Sequence, residues 1–393
     1  MTLHDAGDRA AYFVIGLQGS PNEWLGHGGN APMSAAIGEP LRQLMRAHPR
    51  LKLLVDYSAE GGLIGDLFER LFEVCDDLGI ERNRVAFIVS NSGLEIAFAE
   101  YLASSNQSAA DSYSIVGIDA AMLWFGVSFA RWRIFHGEDS LMTIAEAEKL
   151  GTLKRPKKFL ALNRRLRWQR LMLALMIEQL QLREAGHISM PSLQFTGDWY
   201  PDIKISKEKV YRYGRGMDPA IWESLEQSIP STYATLPWKI DIDVDQSGRT
   251  SQKYAVDIQL RHQHDAYVQI ITETEMEGRP CDILITEKIC KALAYMQPFV
   301  VFGNHRSIAK LTDYGFEETF PRVSHYDIEI DVSKRLTSLY RELENLAALS
   351  ITDLHDHYYE NLDRLIHNRH RLFVMPEVVG EILVSKLRAL LRR

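Results

Sequence analysis

The sequence has too few cysteines for a disulfide framework. Its 393 residues include three, Cys75, Cys281 and Cys290, an odd number, and none forms a C-x-x-C pair. Small secreted scaffolds and structural zinc sites need paired or clustered cysteines. We therefore exclude both classes and expect a reducing, cytoplasmic compartment. The first 20 residues carry acidic side chains and lack a basic region ahead of a long apolar core, so no signal peptide is expected.

Long apolar runs and an excess of positive charge are also missing. No stretch approaches the roughly 18 apolar residues of a membrane-spanning helix. The net charge of −7 gives no general attraction for nucleic acid, so we expect no nucleic-acid partner and any anion site must be local. The sequence also lacks G-x-x-x-x-G-K-[ST], G-x-S-x-G and a complete G-x-G-x-x-G. These absences weigh against P-loop ATPases, α/β hydrolases and ordinary dehydrogenases.

Two weak metal signals do not change this interpretation. The D-I-D-V-D run at 241–245 alternates as an exposed strand face does. His262 and His264 have no convincingly spaced third ligand. We expect no metal site and no cofactor.

What the sequence does have is a repeated alternation of apolar strands, polar turns and helices, which is typical of a parallel α/β sheet. Strands are predicted at 12–17, 51–55, 84–89, 159–162, 267–271, 283–285 and 299–302, and helices at 65–78, 94–102, 171–182, 289–296, 335–350 and 378–393. The stretch 187–240 is predicted to be a loop-rich insertion. The fold class predicted is α/β with two facing Rossmann-like domains, 1–153 and 154–345, and closing helices at 346–393.

Polar residues follow the predicted strands, where open α/β sheets bind their ligands. Asn163, Arg164 and Arg165 come directly after the 159–162 strand. Two arginines there can hold a phosphate through charge-assisted hydrogen bonds. The alternative is a solvated basic face that continues into Arg167 and Arg170.

A second group begins the helix at 289–296. Thr286 suits the N-cap and Glu287 the first turn. Lys288 does not suit a helix N-terminus, because the helix dipole disfavours a cation there. An anionic ligand would relieve that conflict, and simple capping is the alternative.

Three further positions could line the same edge. Thr272 and Glu273 follow the 267–271 strand, and such carboxylates often accept hydrogen bonds from ribose hydroxyls. Gly303 ends the 299–302 strand and would allow close approach of a ligand. An exposed acidic loop and a plain turn explain these residues as well. In the first half, Glu60 lies in the loop at 56–62 and could act as a general base, unless that loop only caps a helix.

These segments resemble the bacterial polysaccharide glycosyltransferases of the GT-B type. KKFLALNRRLRWQRLMLALMIEQL resembles the start of their nucleotide-binding half, and ITEKICKALAYMQPFVVFGNHRSIAKLTDYGFEETF resembles their C-terminal signature. The T-E-K, helix, strand and glycine element is similar to the donor site of alpha-1,3-fucosyltransferases. The G-F-x-T-F element is one residue longer here, as Gly315 to Phe320. The resemblance covers 154–345 well and the first half only through the 56–62 loop. It implies that 1–153 is the acceptor-side domain, that 154–345 binds the nucleotide-sugar, and that the closing helices pack back on the first domain.

The resemblance implies a metal-independent transfer of sugar from a nucleotide-activated donor, GDP-fucose-like, to a cell-surface glycan or glycolipid acceptor such as a lipopolysaccharide precursor. By it, Arg164 or Arg165 and Lys288 neutralise the donor phosphate, Glu287 contacts the ribose, and Glu273 lines the pocket. Glu60 is the matching base. Retaining beta-Kdo transferases, which use a CMP-sugar, are a second resemblance, and a non-catalytic glycan- or nucleotide-binding protein is the other alternative. The basic last helix fits either contact with the inner membrane surface or a solvated end.

Overall fold

A computed structural model gives the structure of the chain over most of its length. It describes residues 11–16, 24–27, 32–57, 66–105, 107–123, 125, 143–163, 166–193, 203–238, 260–278, 283–320 and 323–391.

The described residues include eight strands and thirteen α-helices. The strands are β1 (Ala11–Gly16), β2 (Leu51–Tyr57), β3 (Val85–Val89), β4 (Ser114–Gly117), β5 (Lys157–Leu162), β6 (Gly186–Ser189), β7 (Ala266–Thr272) and β8 (Phe299–Phe302). The helices are α1 (Met33–Ala47), α2 (Leu67–Leu78), α3 (Leu94–Ser104), α4 (Ile144–Lys149), α5 (Trp168–Gln179), α6 (Ile203–Gly214), α7 (Pro219–Thr235), α8 (Leu260–Asp265), α9 (Glu287–Ala294), α10 (Ser307–Asp313), α11 (Val332–Ala348), α12 (Ile351–Glu360) and α13 (Leu362–Leu391). Among them, no helix combines the length and apolarity that crossing a bilayer requires.

The chain divides into two compact units. Unit 1 is made of Met1–Trp124, Cys281–Leu284 and Met375–Arg393, and unit 2 of Phe125–Pro280 and Ile285–Val374. Each unit contains one four-stranded, all-parallel sheet, which confirms the α/β class with two parallel-sheet units. The predicted boundary between 153 and 154 and the third segment at 346–393 stay predictions.

The sheet of unit 1 has the order β1-β2-β3-β4. Val85–Val89 is buried at every position, as expected for a parallel strand covered on both faces. Aromatic rings from α2 and α3 meet the ring of Tyr113: the ring centroids lie 4.7 Å apart for Phe72 and 4.6 Å apart for Phe98. The end of α13 belongs to this unit, where Lys386 Nζ donates to the carbonyl oxygen of Gly117 at 2.8 Å.

The sheet of unit 2 has the order β6-β5-β7-β8. From β5 the chain moves outward to β6 and then returns to β7 on the other side of β5. This reversal places a topological switch point between β5 and β7, where open parallel sheets form a crevice at the carboxyl ends of their strands. In unit 1 the described strands follow one direction, so they contain no such reversal.

The prediction of a loop-rich insertion at 187–240 is wrong where the structure describes that stretch. It contains β6 and the helices α6 and α7. Asp218 caps α7 by accepting from the backbone N–H groups of Ala220 and Ile221, and Pro219 occupies the first turn, which suits proline. Both helices pack against the apolar α5. Of the aromatic residues that suggested an irregular segment, Trp222 is buried and the ring of Tyr213 lies 4.8 Å from the ring of Trp168 in α5.

The weakest strand prediction, at 283–285, is also wrong. The described residues there have no strand pairing and lead directly into α9. Two short strands, β4 and β6, were not predicted. Each spans four residues that mix polar residues and glycine with apolar ones, unlike the four apolar residues of β8, so apolar pattern does not separate them from a turn.

Candidate functional site

The switch point of unit 2 brings together most of the predicted site residues. Asn163 follows β5, Thr272 ends β7 and Glu273 follows it, while Gly303 follows β8. Thr286 contacts Glu273 directly, so the start of α9 belongs to the same edge of the sheet. Two of the predicted residues, Arg164 and Arg165, lie outside the described residues, and so does Glu60.

Asn163 is held by a short chain of hydrogen bonds. The Thr272 hydroxyl donates to Asn163 Oδ1 and accepts from Arg170 Nε at 3.1 Å. A hydroxyl has one proton to donate, so this pairing fixes which end of the Asn163 amide faces Thr272. All three side chains are buried, so these hydrogen bonds lie in the protein interior.

The other end of the same amide is the unusual feature of the site. Asn163 is 3% exposed, and its Nδ2 finds no hydrogen-bond acceptor among the described residues. A buried donor without a partner costs about 1–3 kcal/mol. Such a group at a switch point is what a site built for an oxygen-rich ligand would contain.

Glu273 occupies the centre of the neighbouring contacts. It is 0% exposed. Its Oε1 accepts from the Thr286 backbone N–H at 3.1 Å, and its Oε2 accepts from Thr286 Oγ1 at 2.5 Å and from Lys288 Nζ at 3.3 Å. Both carboxylate oxygens are thus engaged inside the protein. This geometry makes Glu273 the group that orients Thr286 and Lys288.

The start of α9 agrees with the predicted capping. Thr286 is the N-cap, and its hydroxyl oxygen accepts from the Lys288 backbone N–H at 3.3 Å. Glu287 lies in the first turn. Burial acts to raise the pKa of Glu287, but the ammonium groups of Lys288 and Lys291 and the backbone N–H lower it below its usual value. Glu287 is therefore a carboxylate at neutral pH and half-buried at this edge.

Lys288 has partners within the chain. Its ammonium group lies 3.3 Å from Glu273 Oε2, 3.6 Å from Glu287 Oε1 and 3.0 Å from Thr286 Oγ1. The conflict between this cation and the helix dipole is therefore already relieved by two carboxylates. Its side chain is 23% exposed, so these partners do not cover it completely.

Gly303 has a packing reason to be glycine. A Cβ atom there would lie 2.9 Å from Val301 Cγ1, 3.3 Å from Ser307 Oγ and 3.4 Å from Glu273 Cγ. The glycine lets the end of β8 pack closely beside Glu273, whose backbone N–H donates to the Phe302 carbonyl oxygen at 2.9 Å.

Two residues of this edge were not among the predicted site residues. Arg170 was weighed as part of a solvated face, which is wrong because it is buried and bonds Thr272. Gln169 Nε2 donates to the backbone carbonyl oxygens of Glu273 and Thr274 at 2.9 and 3.1 Å, and so fixes the turn after β7. The available signal was two polar residues in the first turn of α5, directly ahead of its apolar run at 171–177.

Taken together, the edge combines cations, an unpartnered amide donor and a helix N-terminus. Arg170 and Lys288 carry the positive charge, and α9 directs its first backbone N–H groups to the same edge. Such groups bind anions, phosphates above all. Chemically, the arrangement can hold and stabilise negative charge.

Comparisons with known proteins give structural likeness at low identity. No protein-family model matches the chain, and no curated protein matches it. An alpha,alpha-trehalose-phosphate synthase (UDP-forming) from Burkholderia vietnamiensis aligns with TM-score 0.41 and 10% identity, over 86% of this chain and 70% of that one. The Candida albicans trehalose-6-phosphate phosphatase N-terminal domain aligns with TM-score 0.41 and 11% identity, over 87% and 66%. An E. coli structure described as trehalose-6-phosphate bound with UDP-2-fluoro glucose aligns with TM-score 0.42 and 12% identity, over 87% and 70%. Likeness at this level adds nothing to the fold beyond the strand order and pairing given above.

Proposed function

We propose that the chain is a glycosyltransferase that binds the phosphate of a nucleotide-activated sugar at the switch point of unit 2. The observation that supports this most strongly is the buried Asn163 amide donor, without an acceptor among the described residues, beside the Arg170–Thr272 pair. A phosphate oxygen would supply the missing acceptor. Arg164 and Arg165, the next residues in the chain, would add cations to the same phosphate.

The chemistry of transfer fits this set of groups. As the bond between sugar and phosphate breaks, negative charge grows on the leaving nucleotide. Fixed cations and amide donors stabilise that charge without having to reorganise. In this proposal Lys288 adds to the positive electrostatic potential at the phosphate, and Glu287 accepts a hydrogen bond from a ribose hydroxyl. Glu273 positions Thr286 and Lys288.

The finer assignments are proposals that rest on the resemblance of the sequence. A GDP-fucose-like donor and a glycan or glycolipid acceptor at the cell surface follow from it, with Glu60 as the base that deprotonates the acceptor hydroxyl. We propose that the enzyme works in the cytoplasm, at or near the inner membrane surface. A CMP-Kdo donor is the alternative on the same frame.

Donor hydrolysis tests the proposal without knowledge of the acceptor. UDP-, GDP- and CMP-sugars are incubated in turn with the chain, and release of free nucleotide is followed. We expect release from one nucleotide class, and we expect Asn163→Asp to suppress it, because a carboxylate keeps the acceptor for Thr272 but repels phosphate. Arg183→Ala is the control, since Arg183 pairs with Glu178 on the surface and should leave release unchanged.

The outcomes separate the proposed roles. Release that is equal in the wild type and in Asn163→Asp would contradict a phosphate site at the switch point. A folded chain that binds a nucleotide but never releases one from any sugar would indicate a binding protein instead. Glu60→Gln is expected to lower transfer to an acceptor while leaving nucleotide binding intact.

A further inference from the structure

A cluster of metal-ligand side chains lies on unit 2 away from the switch point. His187 of β6 and the pair His262 and Asp265 of α8 bring their ligand atoms within 4.8 Å of one another. His187 Nε2 lies 3.2 Å from Asp265 Oδ2, and the two imidazole ring centroids are 4.6 Å apart. Sequence spacing pairs His262 with His264 and gives no link to His187, which is 75 positions away in the chain.

The fold explains why these three side chains meet. His262 and Asp265 are three residues apart on α8, so they share one face of the helix. Asp265 ends α8 immediately before β7 begins, and His187 is the second residue of β6. The cluster therefore belongs to the amino-terminal edge of the parallel sheet. The carboxyl ends of the same strands carry the switch point, so the two sites are distinct.

The set of donors fits one class of ion. Two imidazole nitrogens and one carboxylate oxygen are ligands that Zn²⁺ and similar divalent transition metals take. In tetrahedral Zn²⁺ sites, metal–ligand bonds of about 2.0–2.1 Å place neighbouring ligand atoms about 3.4 Å apart. The 3.2 Å between His187 and Asp265 already matches this, and side-chain rotation can close the wider separation.

Exposure divides the three ligands into one inner and two outer groups. His262 is 5% exposed, while the side chains of His187 and Asp265 are 18% and 31% exposed. An ion can thus enter from the side of His187 and Asp265 and keep water in a further coordination position. If His187 and Asp265 formed only a hydrogen bond, the His262 imidazole would not be needed beside them.

We propose that His187, His262 and Asp265 bind a divalent transition-metal ion of the Zn²⁺ type. The ion links β6, the edge strand of the sheet, to the helix that leads into β7, so its binding stabilises unit 2. A ligand that binds only the folded state raises the apparent stability in proportion to its concentration. This inference does not rest on the proposed sugar transfer.

Cobalt titration of the full chain, stripped of metal with a chelator, tests the site directly. We expect one Co²⁺ per chain with visible d–d absorption bands, displaced by Zn²⁺, and a higher melting temperature with Zn²⁺. His187→Gln, His262→Gln and Asp265→Asn should each weaken binding by at least about 10-fold, the lower bound for losing even an outer-shell partner. His264→Gln, on the same helix but outside the cluster, should bind as the wild type does.

Two results would overturn the proposal. One is a folded wild-type chain that takes up neither Co²⁺ nor Zn²⁺. The other is metal binding that is unchanged in His187→Gln and Asp265→Asn. Because His262 is buried, its variant could fail to fold, and circular dichroism of the metal-free proteins checks this. If the His262→Gln variant does not fold, metal binding by His187→Gln and Asp265→Asn decides whether the site exists.

Discussion

At the scale of single residues, the site depends on how one asparagine amide is oriented. Thr272 donates to Asn163 Oδ1 and accepts from Arg170 Nε, so neighbours in the protein already fix the amide before any ligand arrives. A donor held in place in advance loses little conformational freedom on binding. This preorganisation is the physical reason to assign the Asn163 amino group to a ligand.

The Thr272 hydroxyl links Asn163 to Arg170, and replacing it should show how much these two hydrogen bonds stabilise the protein. Thr272→Val removes the donor to Asn163 Oδ1 and the acceptor of Arg170 Nε in a buried place. We expect the free energy of unfolding to fall by about 1–3 kcal/mol, the penalty for polar groups that lose a buried partner. Urea unfolding measures it. Thr272→Ser keeps the hydroxyl and should lose clearly less; equal losses in both variants would show that the hydroxyl is not the cause.

Lys288 has a partner, Glu273, that the sequence alone does not predict. The conflict between a cation and a helix N-terminus is visible in the sequence, and an anionic ligand was one way to relieve it. The structure supplies Glu273 from another strand end, 15 positions earlier in the chain. No local rule predicts that partner, because the contact is created by the pairing of β7 with its neighbours.

A double-mutant cycle measures this contact. Lys288→Met leaves the fully covered Glu273 with one donor fewer, so we expect the free energy of unfolding to fall by about 1–3 kcal/mol. In the Glu273→Gln background, the same change should cost much less, because the buried charge has been removed. If the loss of unfolding free energy in the double variant equals the sum of the losses in the two single variants, the two side chains do not stabilise each other.

At the scale of secondary-structure elements, the sequence predicted the strands and helices whose apolar residues follow a clear pattern. The strands β5, β7 and β8 were placed within two residues of their ends, and the helix α9 within two residues of its own. Each of the three strands contains a mostly apolar run, with three buried positions in β5, seven in β7 and three in β8. The strands β4 and β6 and the helices at 203–235 were missed, since SIVG and GHIS lack a continuous apolar run and tyrosine-rich helices resemble loops in composition.

The two glycines Gly303 and Gly380 should respond to alanine with opposite signs. A Cβ at Gly303 would lie 2.9 Å from Val301 Cγ1, whereas a Cβ at Gly380, inside α13, meets nothing within 4 Å. We expect Gly303→Ala to lower the free energy of unfolding by about 1–3 kcal/mol through overpacking. Gly380→Ala should raise it by about 0.4–1 kcal/mol, since alanine favours the helix. Thermal and urea unfolding of both variants check this, and a stability loss at Gly380 would contradict the packing described for it.

At the scale of the whole molecule, binding and catalysis are assigned to different stretches of chain. Asn163, Thr272, Glu273 and the start of α9 all belong to unit 2, so the described residues of the proposed nucleotide site come from one unit. The proposed base, Glu60, belongs to the stretch of chain in unit 1. Nucleotide affinity and transfer should therefore be separable by mutation.

Calorimetric titration of the intact chain with UDP, GDP and CMP shows whether the switch point of unit 2 binds a nucleotide phosphate. We predict that one of the three binds with one site per chain, and that Asn163→Asp weakens it by about 1–3 kcal/mol, or roughly 5- to 150-fold, while Arg183→Ala leaves it unchanged. Absence of binding by all three to folded protein, or an Asn163→Asp variant that binds as the wild type does, would contradict a phosphate site at the switch point.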